Sequence, residues 1–138
     1  MSEESEAGQT PVSTVVTDSI VRVARDASVA EVATVLTEAS IGLVVVGEGD
    51  DIAGVVSERD IVTTIAEGRD PKTTLAGDIA HTELAWCDLS ATVAEVAEEM
   101  MERYVRHVLV EDAGRLVGIV SARDLLGVYA AAEDLADM

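Results

Sequence analysis

Aromatic side chains are nearly absent from this sequence, which has no Phe, one Trp and two Tyr in 138 residues. Its core must therefore be built from Val, Ala, Leu and Ile, which suits β-branched strands packed against alanine-rich helices. Cys87 is the only cysteine, so an intramolecular disulfide is excluded. No apolar run approaches the ~20 residues of a membrane helix, and Met1 to Gln9 lacks the apolar centre of a signal peptide, so we expect a cytoplasmic protein.

Positive charge is also scarce. Nine Lys and Arg residues stand against 27 Asp and Glu residues, the formal net charge is −18, and Lys72 is the only lysine. Binding to nucleic acid or to anionic membranes requires a basic surface, so we expect neither partner. Such acidity favours solubility. Together with few lysines and aromatics it is typical of proteins from salt-accumulating halophiles, where concentrated salt screens the repulsion between like charges.

The hydrophobic residues, which make up 49% of the chain, are arranged in an internal repeat. Shifted by 64 residues, the chain aligns with itself without a gap, and residues 17–63 and 81–127 share 14 identities in 47 pairs. The identities cluster in two places, which makes chance similarity a poor explanation. The clusters are Val29–Ala33 with Val93–Ala97, and Gly54–Asp60 with Gly118–Asp124.

Each copy begins with a strand and a capped helix. The short first strands are predicted at Ser19 to Val23 and at Glu83 to Cys87. Capping-box pairs, Ser28 with Glu31 and Thr92 with Glu95, mark the starts of the helices. Helical spacing predicts one core-facing side for each helix, formed by Val29, Val32, Ala33 and Leu36 in the first copy and by Val93, Val96, Ala97 and Met100 in the second.

A hairpin and a second helix complete each copy. Apolar strands at Leu43–Val46 and His107–Val110 lead into turn sequences. Third strands return at Ile52–Val56 and Leu116–Val120, and second helices are predicted at Ser57–Glu67 and Ser121–Ala132. The order of elements is therefore β-α-β-β-α in both copies.

These elements predict a mixed α/β fold of the α+β type. A unit of about 50 residues cannot bury both faces of its sheet alone, so we expect the two repeats to pack sheet to sheet about a pseudo-twofold axis, which creates two clefts. The predicted organisation is an acidic mobile tail at 1–13, a first repeat at 14–68, a linker at 69–77 that contains Pro71, and a second repeat at 78–132.

The doubled motif resembles a tandem cystathionine-β-synthase (CBS) domain pair, also called a Bateman module. The resemblance covers residues 14–130. It rests on Gly54-x-x-Ser57-x-x-Asp60, on Gly118-x-x-Ser121-x-x-Asp124, and on Val105 to Val110, which is similar to the family's common second strand. Each short motif is weak alone, but two copies at one spacing in the right order of elements are specific.

The resemblance implies an adenosyl ligand such as AMP, ADP, ATP or S-adenosylmethionine, no required cofactor, and a homodimer of pairs. In related pairs the Asp of the Ser-x-x-Asp motif holds the ribose hydroxyls, the hydroxyl residue and nearby basic groups face phosphate, and adenine lies against strand backbone. Carried over to this chain, one cleft uses Ser57, Arg59, Asp60, His81, Leu84, Arg106 and His107. The other uses Ser121, Arg123, Asp124, Thr17, Ile20, Ile41 and Gly42.

The two predicted clefts differ in charge. Where the second repeat has Arg106 and His107, the first has Gly42 and Leu43. The family often has Thr just before the first strand; Thr17 keeps it, but His81 replaces it in the second copy. We therefore expect the Arg106 cleft to prefer more phosphate and the Gly42 cleft to bind more weakly or to take a less charged adenosyl ligand.

Simpler explanations exist for each candidate residue. Ser-x-x-Asp is a common N-cap pattern, and capping is compatible with ligand binding. Trp86 could stack on adenine, but a lone strand Trp is more often core or an oligomer contact. Cys87 is expected to be a small buried residue. His81 and His107 have no neighbouring His or Cys, so we expect no metal site.

No catalytic constellation appears in the sequence, and we expect a non-enzymatic protein. The favoured hypothesis is an adenine-nucleotide sensor that acts in trans on an effector protein, since no effector domain is fused to it. The alternative is a ligand-independent homodimerisation scaffold.

Overall fold

The computed structural model describes residues 6–16, 20–49 and 51–136, with side chains as far as residue 132. The helices are α1 (Glu6–Gln9), α2 (Val29–Ala39), α3 (Glu58–Ala66), α4 (Ala76–Ile79), α5 (Val93–Arg103) and α6 (Ala122–Ala136), and a 3-10 turn spans Val12–Thr14. The strands are β1 (Arg22–Val23), β2 (Leu43–Glu48), β3 (Asp51–Ser57), β4 (Trp86–Asp88), β5 (His107–Asp112) and β6 (Arg115–Ser121).

The chain divides into two compact units that do not follow the sequence order. Residues 20–84 form the first-repeat unit, and residues 1–19 together with 85–138 form the second-repeat unit. Each unit contains one three-stranded sheet, in the order β1-β2-β3 or β4-β5-β6. In both sheets the central strand is parallel to the first strand and antiparallel to the third. The predicted mixed fold of two α/β repeats, one sheet each, is confirmed.

The first strands are shorter than the sequence predicted. Pairing of β1 with β2 is limited to Arg22 and Val23, and β4 spans Trp86–Asp88 instead of Glu83 to Cys87. Ser19, the expected start of the first strand, lies outside the described residues. Among the described residues just before each strand, one further hydrogen bond extends the pairing, from Val45 N to Val21 O and from Leu109 N to Ala85 O. Parallel pairing is therefore confined to two or three residues in each repeat.

The helix starts that the sequence predicted are present. The Ser28 hydroxyl accepts a hydrogen bond from Glu31 N at 3.1 Å, and Thr92 forms a full capping box with Glu95. Such caps satisfy backbone N–H groups that have no partner in the first turn. Both helices end at a left-handed residue that is not glycine, since Ser40 has φ 55° and Tyr104 has φ 56°.

Each unit has its own valine-rich core. The predicted faces of α2 and α5 are buried at three of their four positions, namely Val29, Val32 and Leu36, and Val93, Val96 and Met100, whereas Ala33 and Ala97 are half-buried. The central strands are buried over Leu43–Val46 and Val108–Val110. Burial of a valine side chain contributes roughly 1.5–3 kcal/mol. Aliphatic side chains therefore supply the packing that aromatic residues supply in most proteins.

The segments that precede the first strands pack against the cores in the same way. Val12 and Ala76 stand 64 positions apart, and both are fully buried. Val12 N donates to Ala91 O at 2.8 Å, and Ala76 N donates to the matching Ala27 O at 2.7 Å. In the structure the repeat therefore extends back to residues 10–16 and 74–80. The sequence predicted an acidic mobile tail at 1–13. Within it, the described residues form α1 and the start of the following 3-10 turn, which lie against the second-repeat unit; the domain boundaries stay a prediction.

Within the described part of the chain, no helix combines the length and the apolar character needed to cross a membrane.

Candidate functional site

The junction between β3 and α3 fixes the carboxylate of Asp60. Ser57 ends the strand with an extended backbone, and its hydroxyl accepts a hydrogen bond from Asp60 N at 3.3 Å. Asp60 Oδ2 in turn accepts from Ser57 N at 2.7 Å and from the Ser57 hydroxyl at 3.0 Å. This reciprocal capping box leaves the Asp60 side chain 14% exposed. The carboxylate therefore lies at the positive end of the α3 dipole in a fixed orientation.

The start of the central strand meets the same junction. Leu43 pairs with Ser57 across the sheet, and Glu58 N donates to Gly42 O at 3.1 Å. A backbone N–H in the first turn of α3 is thus satisfied by the chain just before β2. Gly42 therefore lies beside the Ser57–Asp60 motif of its own repeat.

His81 reaches Asp60 from a segment 21 residues further along the chain. Its ring Nε2 lies 2.5 Å from Asp60 Oδ1, the oxygen that Ser57 leaves open. The backbone of His81 is paired with Val55, since His81 N donates to Val55 O at 2.9 Å and Val55 N donates to His81 O at 3.0 Å. The imidazole itself remains 63% exposed. The structure thus brings together Ser57, Asp60 and His81, which the sequence assigned to one site.

Gly54 makes this approach possible. A Cβ atom at position 54 would overlap the carbonyl oxygen of His81 and would touch the Cβ of Ala80. Only a residue without a side chain lets the 80–81 segment pair with the edge of β3. Sequence reasoning noted Gly54 as part of the motif but missed this role. The signal was present, because glycine is uncommon inside a strand without a local reason.

The junction between β6 and α6 repeats the local geometry. Ser121 N donates to Asp124 Oδ2 at 2.9 Å, and Asp124 N donates to the Ser121 hydroxyl at 3.1 Å. His107 pairs with Ser121 across the sheet, and Ala122 N donates to Arg106 O at 2.8 Å. Arg106 and His107 therefore lie beside the Ser121–Asp124 motif within the second-repeat unit. Thr17, which corresponds to His81 under the 64-residue shift, lies outside the described residues.

The remaining predicted residues divide by exposure. The three arginines are exposed on the surface, and the three apolar candidates are half-buried. The arginines are Arg59, Arg106 and Arg123, and the apolar residues are Ile20, Ile41 and Leu84. Ile41 is tied to the end of α2 by a hydrogen bond from its N to Leu36 O at 3.1 Å. The predicted grouping of residues from both repeats into two clefts stays a prediction.

Trp86 and Cys87 occupy adjacent positions in β4. Both are half-buried, and Cys87 packs against the core of the second-repeat unit. Partial burial, together with the carboxylates of Asp88, Glu99, Glu111 and Glu95, raises the pKa of the Cys87 thiol to about 11. The thiol is therefore protonated at neutral pH. Among the described residues, no group of three His, Cys, Asp or Glu side chains is placed to hold a metal ion.

Comparison with known proteins identifies related sequences. The model of the CBS domain family matches twice, at residues 12–67 and 76–131. Hypoxic response protein 1 of Mycobacterium tuberculosis is 38% identical over 92 residues, which cover 65% of this chain and 64% of that protein. The chain thus matches less than two thirds of the length of this curated relative.

Solved structures are similar over nearly the whole chain. A CBS domain protein from Pyrobaculum aerophilum, complexed with AMP, superimposes with a TM-score of 0.78 at 32% identity and covers 93% of this chain and 99% of its own. The CBS domain pair of protein MJ0100, in complex with 5′-methylthioadenosine and S-adenosyl-L-methionine, has a TM-score of 0.80 at 20% identity and covers 88% and 97%. At that identity the second comparison supports the fold alone.

Proposed function

This chain belongs to the CBS domain family as a tandem pair, and we propose that it is a non-catalytic regulatory module that binds an adenosyl ligand. The observation that carries the proposal is the fixed carboxylate at the start of α3 and again of α6. A carboxylate can accept two hydrogen bonds from the vicinal hydroxyls of a ribose. The AMP complex of the similar Pyrobaculum protein supports this choice of ligand.

The phosphate of such a ligand needs local positive charge, because the chain as a whole carries −18. Arg59, Arg106 and Arg123 are exposed. Arg59 and Arg123 lie within the two Ser-x-x-Asp motifs, and the backbone oxygen of Arg106 accepts a hydrogen bond from Ala122 N beside the second motif. Arginine can bind phosphate through two parallel hydrogen bonds. We therefore propose AMP, ADP or ATP as the first ligands to test, with S-adenosylmethionine as a ligand of lower negative charge.

The geometry at Ser57 favours binding over catalysis. The Ser57 hydroxyl donates to Asp60 and accepts from Asp60 N, while His81 contacts the other oxygen of the same carboxylate. A serine nucleophile would need its hydroxyl directed at a base such as His81. Here the hydroxyl closes a helix cap instead, so we propose a sensor that signals to a separate effector protein in the cytoplasm.

Calorimetric titration tests the proposal. We expect AMP, ADP, ATP or S-adenosylmethionine to bind the folded protein in concentrated KCl, with Asp60→Ala and Asp124→Ala each weakening binding at least about tenfold at one site. Asp112→Ala, at the exposed end of β5, is the matched control and should leave binding unchanged. Folded protein that binds none of the four ligands would exclude this function.

A ligand-independent homodimerisation scaffold is the second candidate. Val62 and Ile65, one helical turn apart on α3, are 65% and 58% exposed, and Leu126 on α6 is 68% exposed. On α3, Val62 and Ile65 form an exposed apolar patch that a second copy of the chain could cover, and Leu126 is a separate exposed apolar side chain on α6. Native mass spectrometry of the freshly purified protein separates the two functions. A dimer that carries a bound nucleotide supports the sensor. A nucleotide-free dimer whose stability does not change when AMP is added supports the scaffold.

A further inference from the structure

Both oxygens of the Asp60 carboxylate are already engaged within the chain. Oδ2 closes the capping box with Ser57, and Oδ1 lies 2.5 Å from His81 Nε2. Only 14% of the Asp60 side chain is exposed while His81 contacts it, so little of the carboxylate is accessible to an incoming ribose. A ligand that uses this carboxylate must therefore compete with the imidazole.

The anchoring of His81 allows such competition without rearrangement of the fold. Its backbone is held by two hydrogen bonds to Val55 and by the close contact with Gly54. Its ring, by contrast, is 63% exposed. Rotation about the side-chain torsions can withdraw the ring from Asp60 while the backbone pairing persists, and exposed side chains make such rotations within nanoseconds.

The second repeat differs at this position. Thr17 stands where the first repeat's partner segment has His81, and its side chain carries no imidazole. Within the described part of the chain, Asp124 Oδ2 accepts the capping hydrogen bond from Ser121 N. The two Ser-x-x-Asp motifs are thus alike in their caps, and the sequence position that corresponds to His81 under the 64-residue shift holds Thr17 instead.

We propose that His81 is an autoinhibitory gate at Asp60, so that an adenosyl ligand binds the first-repeat carboxylate only when the imidazole leaves it. The inference rests on the proposed function, because it concerns the regulation of that same site. It makes His81 a residue that tunes affinity, and it predicts that the two motifs fill at different ligand concentrations.

Calorimetry on an Asp124→Ala background tests the gate, because binding at the Asp124 site is then weakened and the Asp60 site contributes most of the signal. Adding His81→Thr, which installs the residue of the other repeat, should tighten AMP binding about tenfold to a hundredfold, the range expected when a hydrogen bond to a charged group no longer has to be broken. Thr82→Ala, an exposed neighbour, is the control and should leave the affinity unchanged. Thermal melting checks that each variant is folded.

NMR of the imidazole ring tests whether AMP displaces His81 from Asp60, which a purely structural role of His81 would not predict. The protein has two histidines, and the His81→Thr variant retains only His107, so comparing the two spectra assigns the His81 signals. Saturation of the Asp124→Ala protein with AMP should shift the His81 Nε2 resonance toward that seen in the Asp60→Ala variant.

The outcomes separate the gate from the function on which it rests. Equal AMP affinity of the parent and the His81→Thr variant would overturn the gate. If Asp60→Ala then abolishes the remaining binding, the nucleotide site itself stands. Absence of AMP binding from every folded variant overturns both. Tighter binding by the His81→Thr variant, with release of the imidazole in the parent, supports both.

Discussion

The carbonyl oxygen of His81 occupies the space that a side chain at Gly54 would need. This close approach lets the 80–81 segment pair with Val55 at the edge of β3 and sets the imidazole on Asp60. A glycine inside a strand is therefore coupled to the geometry of a carboxylate six residues later. The relationship links the stability of the sheet edge to the candidate site.

Replacement of Gly54 by Ala should destabilise the protein. The added Cβ collides with backbone atoms of His81, which cannot move as freely as a side-chain end, so we expect a loss of roughly 1–3 kcal/mol in the free energy of unfolding. Urea denaturation at constant salt measures it. Gly127→Ala is the matched control, because nothing lies within 4 Å of a Cβ at that exposed position on α6. That change should stabilise the helix by about 1 kcal/mol, so equal effects of the two substitutions would contradict the structure.

Replacement of Tyr104 by Gly should stabilise the protein. Tyr104 ends α5 at φ 56°, where a Cβ atom is unfavourable, and its side chain is 94% exposed. Removing the strain should add about 1 kcal/mol to the free energy of unfolding. Tyr104→Ala removes the same ring but retains the Cβ, so it should give no gain. If Ala and Gly variants melted alike, the left-handed assignment would be wrong.

Replacement of Val12 by Ala should weaken the second-repeat unit. Val12 is fully buried in the core that α5 and the β4-β5-β6 sheet share. Loss of two buried methyl groups should cost about 2 kcal/mol. Ser13→Ala, an exposed change in the same 3-10 turn, should stay within about 0.5 kcal/mol. A Val12 variant as stable as the Ser13 variant would show that this segment is not part of the core.

Alkylation of Cys87 should be slow at neutral pH. Because the thiolate is the reactive form, a pKa raised from 9.0 to about 11 leaves roughly a hundredfold less of it than in an unperturbed thiol. Iodoacetamide labelling followed by mass spectrometry should show a rate that keeps rising until about pH 11, and labelling in urea should restore the ordinary profile. A plateau near pH 9 in the folded protein would contradict the burial of this thiol.

The raised pKa of Cys87 also predicts how the stability of the protein depends on pH. Below pH 9 the Cys87 thiol is protonated in the folded and the unfolded chain; between pH 9 and about 11 the unfolded chain loses its proton first. The unfolded state then binds fewer protons, so the contribution of Cys87 to stability falls as the pH rises through this window. The melting temperature of the parent should therefore drop faster than that of Cys87→Ala between these limits. Parallel curves would exclude the linkage.

Local patterns in the sequence were sufficient for the elements and their order. The caps at Ser28 and Thr92, the apolar faces of α2 and α5, and the two Ser-x-x-Asp junctions all depend on residues three or four positions apart. Such spacing is set by the helical period, and each pattern occurs twice at an interval of 64 residues. Together with the apolar runs and turn sequences that predict the strands, these signals account for the β-α-β-β-α order in both repeats.

Contacts between distant segments were decided only by the tertiary structure. His81 meets Asp60 across 21 residues, and Val12 enters a core formed mostly by residues after 84. The segments that make these contacts are short and have no clear period, so their local sequence does not specify a partner. The partner of each segment depends on three features of the folded chain: the edge of β3 that the 80–81 segment pairs with, Gly54, which lets that segment approach, and the space left in each core. The sequence by itself determined two matched carboxylates, and the tertiary structure decided that one of them is covered by a histidine.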